Sequence, residues 1–273
     1  MSHELSEQPT TPLLAQKHYD DPSIFTPENL LREARRQKAL SEQPVPEICV
    51  LDPDGDLIDY LRATTQAKEH PTWACYHTTL CTWEQDGTLY GAIGRAVGAP
   101  FAVLVAEELF VSGCKLLVSI TSAGQLLDLG QPPYMVLIDR ALRDEGTSYH
   151  YLPPTPYSFL DPTLYDMLCS EWKQAHLPLH VGGSWTTDAP FRETEAMIAW
   201  GREQGLLAIE MEAAALYALA SAKQYSIVCF AHVTNQMAQM EGDFEKGGAN
   251  GSLTMVELIG QVGRLWLQKN TST

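Results

Sequence analysis

Residues 206–223 read Leu206-Leu207-Ala208-Ile209-Glu210-Met211-Glu212-Ala213-Ala214-Ala215-Leu216-Tyr217-Ala218-Leu219-Ala220-Ser221-Ala222-Lys223. The opening apolar run, Leu206 to Glu210, has the length of a buried strand. From Met211 onward the segment is dominated by Ala and Leu, which lose little on entering a helix. A strand that feeds straight into a helix is the building unit of an α/β fold. Ligands in such folds sit at the carboxyl ends of strands, which is where Glu210, Met211 and Glu212 fall. A carboxylate can accept from both hydroxyls of a vicinal diol, and a Met beside it can pack on the apolar face of a sugar. The same two acids also read as an acidic first helical turn, stabilised by the helix dipole.

Working outward, the pattern keeps alternating. Gly205 closes a helix expected over Arg192 to Gln204, and Ser226 to Val233 is a strand followed by a last helix over Ser252 to Gln268. Towards the N-terminus, strands are expected at Ile48 to Leu51, Leu116 to Ile120, Tyr134 to Asp139 and Leu179 to Gly183. Helices are expected at Leu57 to Arg62, Pro100 to Ser112 and Pro162 to Ala175. Ala74 to Trp83 and Thr88 to Ile93 alternate in strand fashion around Gln85-Asp86-Gly87. No compositional break interrupts this order, so residues 45–273 are expected to form one α/β domain with a mixed central sheet flanked by helices. Residues 1–44 read as an N-terminal arm. Its first twenty residues are polar and aperiodic, and a short helix then begins at Pro27, capped by Thr26.

The chain has 273 residues with a formal net charge of -16. That balance argues against nucleic acid as a partner, since a phosphate-tracking surface needs basic residues in excess. The six cysteines form no Cys-x-x-Cys pair and no zinc spacing, so reduced, mostly buried thiols and no metal are expected. No signal pattern opens the chain, and the apolar stretch Phe101 to Ile120 is broken by Glu107, Glu108 and Lys115. A cytoplasmic protein with no membrane partner is the expectation.

Four further segments carry chemistry-bearing residues. Leu116 to Gly124 runs a buried strand into Thr121 and Ser122, where a turn of backbone N–H groups and hydroxyls can cradle an anion, or simply turn the chain. Gly94 to Pro100 brings small residues and Arg95 before a helix; Gly98 permits close approach and Arg95 supplies positive charge. Trp185 to Thr194 combines Trp185 and Arg192, suited to a planar base and an anion, although Thr187 or Asp188 there can equally cap a helix. Past a strand, Asn235 offers one donor and one acceptor to the edge of a base, or ends the strand in polar fashion.

In this order the segments resemble the nucleoside phosphorylase family, in its uridine and purine nucleoside phosphorylase branch. Glu210-Met211-Glu212-Ala213-Ala214 is similar to the family's Glu-Met-Glu ribose motif. Ala96-Val97-Gly98-Ala99-Pro100 with the following Val105-Ala106-Glu107-Glu108-Leu109 resembles its glycine-rich loop and helix. Ile120-Thr121-Ser122-Ala123-Gly124 stands in the place of its Gly-Thr-Thr/Ser turn, and Cys49-Val50-Leu51-Asp52-Pro53-Asp54 resembles its first strand and loop. The likeness covers about residues 45 to 265. It implies a distorted mixed sheet and a homo-oligomer (dimer, trimer or hexamer) with sites near subunit interfaces. It also implies cleavage of a ribonucleoside by phosphate, a co-substrate and not a cofactor, to free base and ribose 1-phosphate. By the resemblance, Glu212 takes the ribose hydroxyls, Met211 packs on the ribose, Thr121 contacts the anion and Asn235 the base. Trp185, Tyr157 or Phe159 is then expected to stack on that base.

Two of the family's phosphate arginines have no counterpart. Gly55 follows Asp52-Pro53-Asp54 where the family places one, and Val118 stands at the other. Arg95 and Arg192 are the expected substitutes. The alternative is hydrolysis, with Asp54 or Asp56 activating water. A second alternative is a nucleoside-binding module without turnover.

Overall fold

In a computed structural model, residues 11–64, 67–172, 177–237 and 241–271 are described. The strand β1 (Ile48–Asp52) is buried at all of its residues. It lies between β4 (Thr88–Gly94) and β5 (Leu116–Gln125), parallel to both. A strand covered on both faces has no use for alternation, and Ile48, Cys49, Val50 and Leu51 form one apolar run.

Beyond β5 the sheet curls. β9 (Leu206–Glu210) pairs antiparallel with β5, then parallel with β8 (Leu179–Thr187), which pairs parallel with β6 (Tyr134–Asp144). β10 (Ser226–Asn235) joins β6 on one edge and β5 on the other, so β5, β9, β8, β6 and β10 close a ring. β3 (Cys81–Gln85) and β2 (Lys68–Glu69) extend the open side beyond β4, while β7 (Tyr157–Phe159) hangs on β6. The mixed, distorted sheet is as expected, and helices flank it.

The helix after β9, α6 (Ala213–Lys223), is buried from Ala213 through Ala220. Its alanines let its backbone lie close against α3 (Ala99–Val111), the ring strand β6 and the appended β7. The last helix, α7 (Ser252–Thr271), packs across α2 (Asp56–Thr64) and α4 (Pro162–Trp172). In the arm, α1 (Pro27–Lys38) starts with Thr26 accepting from the Asn29 N–H, as its sequence implies. Among the described residues no helix is long and apolar enough to cross a membrane. All six cysteines are free thiols, and only Cys169 is not buried.

Four local expectations are corrected. The strand expected from Ala74 begins only at Cys81; the hairpin after it turns on Asp86 and Gly87, both at positive φ (52° and 76°). The turn expected at Thr121 to Gly124 does not form. β5 runs on to Gln125 because β10 and β9 continue to pair with it, so these backbone N–H groups serve the sheet and make no anion nest. The helix expected from Arg192 is split into a 3-10 turn, Pro190–Arg192, and α5 (Glu195–Glu203), whose cap is Thr194 and neither Thr187 nor Asp188. Thr187 instead accepts from the Ala189 N–H and Asp188 from the Gly146 N–H. The segment from 173 to Ala175, where a helix was also expected, lies outside the described residues.

Candidate active site

A cleft of about 560 Å³ opens where β5, β9 and β10 end, walled by Ser122, Met211 and Asn235 and roofed by Phe191, Glu193 and Phe244. Three strand ends and the start of α6 therefore meet there, as the position of the Glu-Met-Glu segment implied.

The two glutamates of that segment differ in what they touch. Glu210, at the end of β9, accepts from the hydroxyls of Ser184 and Thr186 and from the N–H groups of Glu212 and Ala213. Every one of these donors is internal, and they tie β8 to the first turn of α6. Burial pushes the Glu210 carboxyl above its ordinary range, against these hydrogen bonds. Glu212 is the N-terminal cap residue of α6 and is 1% exposed. One carboxylate oxygen accepts from the Gly98 N–H at 2.7 Å and the other from the Met211 N–H at 3.3 Å. A carboxylate has about four acceptor sites, and with the Thr121 hydroxyl also bonded to it about one remains. Burial, reinforced by Glu210 beside it, pushes Glu212 up to about 8, with the Gly98 N–H and the Thr121 hydroxyl pulling the other way. Gly98 itself, at φ 87°, sits where a left-handed backbone is needed to aim that N–H.

The opposite end of the site gathers around the loop after β1. Asp54 accepts from the Ser122 hydroxyl at 2.9 Å and from the Lys246 ammonium at 3.0 Å. Lys246 also donates to Asp56 at 2.5 Å, and Asn250 donates to the other Asp56 oxygen at 3.2 Å. Burial pulls Lys246 down, but its bonds to Asp56 and Asp54 outweigh this and raise it overall. Below lies His232, 2% exposed, held down at about 4 by burial and so neutral in the physiological range. Its Nδ1 has no hydrogen-bond partner among the described residues. Gly251 closes over that ring at φ 81°, where a Cβ would stand 2.2 Å from the His232 Cε1. Asp52, the last residue of β1, is pushed up to about 7 by burial while its carboxylate accepts from the Gly55 and Ile58 N–H groups.

The structure thus brings Glu212, Met211, Glu210, Thr121, Ser122, Gly98, Asn235, Asp54 and Asp56 around one region. Others fall elsewhere. Trp185 is 1% exposed, packs in a core cluster with Leu126, Leu142 and Ile209, and donates its indole N–H to Asp144 at 2.9 Å; its faces are covered and no base reaches them. Tyr157 and Phe159 pack against each other on β7, outside the cleft walls, and the Arg140 guanidinium lies over the Tyr157 ring. Arg95 lies over Gly55, in the loop that carries Asp54, but is exposed and bound to Asp59 at 2.7 Å, and Arg192 is exposed on the 3-10 turn. Neither arginine makes an ion pair at the Asp54 end. The Asn235 amide is engaged locally, donating to the Thr234 hydroxyl at 3.2 Å and accepting from the Met237 N–H at 2.9 Å.

Three residues escape a sequence reading. Lys246 lies in a glycine-rich loop with no motif of its own, and reaches the site because Phe244 bridges back to Asn235 and the Glu245 N–H bonds the Thr234 carbonyl. His232 reads as one more residue of a buried strand. Glu193 is half-buried with no hydrogen-bond donor among the described residues, and burial alone pushes it up to about 7. A signal for Lys246 existed: carboxylates expected at a site in so acidic a chain require a cation nearby.

The fold is that of uridine phosphorylase from Vibrio fischeri ES114, with a TM-score of 0.67 at 18% identity over 83% of this chain and 93% of that one. Residues 47–259 match the family model described as the phosphorylase superfamily, and the chain belongs to that superfamily, among the nucleoside phosphorylases. Similar curated proteins include a guanosine phosphorylase of Halorubrum lacusprofundi, 27% identical over 67% of this chain and 76% of its own length. A DeoD-type purine nucleoside phosphorylase of Streptococcus pneumoniae serotype 19F is 29% identical over 59% of this chain and 70% of its own.

Proposed function

We propose that this chain cleaves the N-glycosidic bond of a purine ribonucleoside. The observation that carries this reading is Glu212: a buried carboxylate at the head of α6, beside Met211 on the cleft wall, with acceptor capacity left over after Gly98, Met211 and Thr121 have donated to it. In this reading Glu212 takes the 2′ and 3′ hydroxyls, and Met211 packs on the ribose. Glu210 braces the turn that aims them. Thr121, against Glu212, positions the carboxylate. Charge building on the ribose in an oxocarbenium-like transition state is met by these fixed groups, so positioning and electrostatics dominate the chemistry.

The base lies between Phe191 and Phe244, which take the part expected of Trp185. Glu193, free of donors, pairs with N–H groups on the base edge, and Asn235 stands at the opposite wall. A base that presents donors in the manner of guanine suits such a carboxylate; the name of the guanosine phosphorylase relative agrees with this. The family reaction, transfer of the ribose to phosphate, would need a cation at the Ser122 end, and the cation there is Lys246. We further propose a homo-oligomer, in which a neighbouring copy covers Phe191, 99% exposed at the rim. The test is a panel of guanosine, inosine, adenosine and uridine, read by release of free base from the full chain. Turnover of the purine ribosides, guanosine foremost, is expected; nucleoside binding without release of any base would leave a binding module.

A further inference from the structure

Behind the Ser122 wall of the cleft, the donors are already taken by one of the protein's own carboxylates. Asp54 takes the two donors that an incoming anion would use there, the Ser122 hydroxyl and the Lys246 ammonium. Lys246 is shared with Asp56, so one ammonium faces two carboxylates, and Asp52 lies close enough to feel both. His232 beneath them is buried. Arg95 is committed to Asp59 and Arg192 stands exposed on the 3-10 turn. Phosphate, with a charge near -2, would enter a site of its own sign and find, among the described residues, no unshared cation beside Asp54. A neutral acceptor meets no such repulsion.

From this arrangement we infer that water is the acceptor, that Asp54 is its base, and that Lys246 is the residue positioning Asp54. The inference rests on the reading that the chain cleaves a riboside. Each aspartate is held at both oxygens, Asp54 by Ser122 and Lys246 and Asp56 by Asn250 and Lys246, so Asp54 is favoured by where its partners stand: those of Asp56 lead away to Asn250 and, through its carbonyl, to Ser252 at the start of α7. Asp54 reaches the cleft through Ser122, whose side chain stands on the cleft wall and whose strand is paired beside β9 at Gly124 and Ile209. A second, independent mark of a site is His232: fully enclosed, with an Nδ1 that no described residue satisfies, under the same Asp54–Lys246 pair. Unpaired polar atoms at that depth are uncommon outside places where a water or ligand completes the set.

The step balances without any co-reactant. The bond from the ribose C1′ to the base nitrogen breaks, and its electron pair leaves with the base. A water oxygen forms the new bond to C1′ as its proton passes to an Asp54 oxygen. The base takes up a proton from solvent and Asp54 returns one, so riboside and water give ribose and free base. Lys246 supplies the opposite charge that holds Asp54 in place and never touches the substrate.

The experiment uses the full chain with guanosine in phosphate-free buffer prepared in ¹⁸O-water, and the same with inorganic phosphate added. Equal rates of base release in both buffers, with free ribose carrying one ¹⁸O, are expected. Release only with phosphate, and ribose 1-phosphate as the product, would overturn the inference while leaving riboside cleavage intact. No release of base from any riboside in either buffer would defeat the riboside reading and this inference with it. These arms need no variant. In a chain that folds with an unchanged melting temperature, Asp54→Asn is expected to lower kcat by about a hundredfold or more, with KM changed little. Lys246→Met should lower kcat as well and shift the acid limb of its pH profile, and Lys246→Arg should restore much of the loss. A Lys246→Met enzyme with the parent profile would remove Lys246 from its role.

Discussion

The two ends of the cleft are built differently. At the sugar end, the parts come from neighbouring positions: Glu210, Met211 and Glu212 follow one another, and their contacts are largely backbone N–H groups of the same turn and of Gly98. At the acceptor end, the parts come from four separate stretches of chain, around Asp54, Ser122, His232 and Lys246. A strand end fixes where a residue stands, and the residue's charge then decides what can be bound there.

The sharpest way to test the sugar end is to take away its brace. Glu210→Ala would leave buried donors on Ser184, Thr186, Glu212 and Ala213 without their acceptor. Each unsatisfied buried group costs about 1–3 kcal/mol, so a loss of roughly 3 kcal/mol or more is expected in denaturant unfolding. A change below about 1 kcal/mol would mean that Glu210 is not the structural member of the pair.

Acid–base behaviour separates the two glutamates from ordinary surface acids. A carboxyl whose value is raised in the folded chain binds its proton more tightly there than in the unfolded chain. Its contribution to stability is therefore complete below 4.5, the ordinary value, and is lost as the pH rises through about 8 for Glu212. Asp52 adds to the same trend, its contribution fading from 3.8 to about 7. The melting temperature should fall between about pH 5 and pH 8, and Glu212→Gln should flatten that fall. A slope unchanged in the variant would take Glu212 out of the explanation.

Smaller effects are expected at the base and at the outer loop. Glu193→Gln turns a charged acceptor into a neutral one, and the difference between such bonds, about 1 kcal/mol, is roughly a fivefold loss in kcat/KM for guanosine. Uridine turnover, if present, should change less. Arg95→Ala should leave turnover within about twofold and stability within about 0.5 kcal/mol, because its pair with Asp59 is exposed. A large loss in that variant would return Arg95 to the anion site and undo the contrast between the two ends.

Much of the fold is legible in the sequence because apolar runs such as Ile48 to Leu51, and the Ala-rich run after Glu212, carry their burial locally. What is not legible depends on partners far away. Thr121 to Gly124 looks like a turn, and is a strand only because β10 and β9 pair with it. Trp185 looks like a base platform; its burial is decided by Leu126, Leu142 and Ile209, which only the closed ring brings together. Lys246 stands 192 residues from Asp54, and no spacing rule links them. The Glu-Met-Glu segment is local: its strand-to-helix junction is legible from Leu206 to Lys223 alone.

The central claim is that Glu212 reads the ribose diol, and the most direct measurement is kcat/KM for guanosine against 2′-deoxyguanosine, on the parent chain and on Glu212→Ala. A hydrogen bond to the ionised carboxylate is worth about 1.5–3 kcal/mol, so above about pH 8, where Glu212 is ionised, the parent is expected to prefer the riboside by about tenfold or more, and the variant to lose that preference. A parent enzyme indifferent to the 2′ hydroxyl, or a variant that keeps the full preference, would contradict the account.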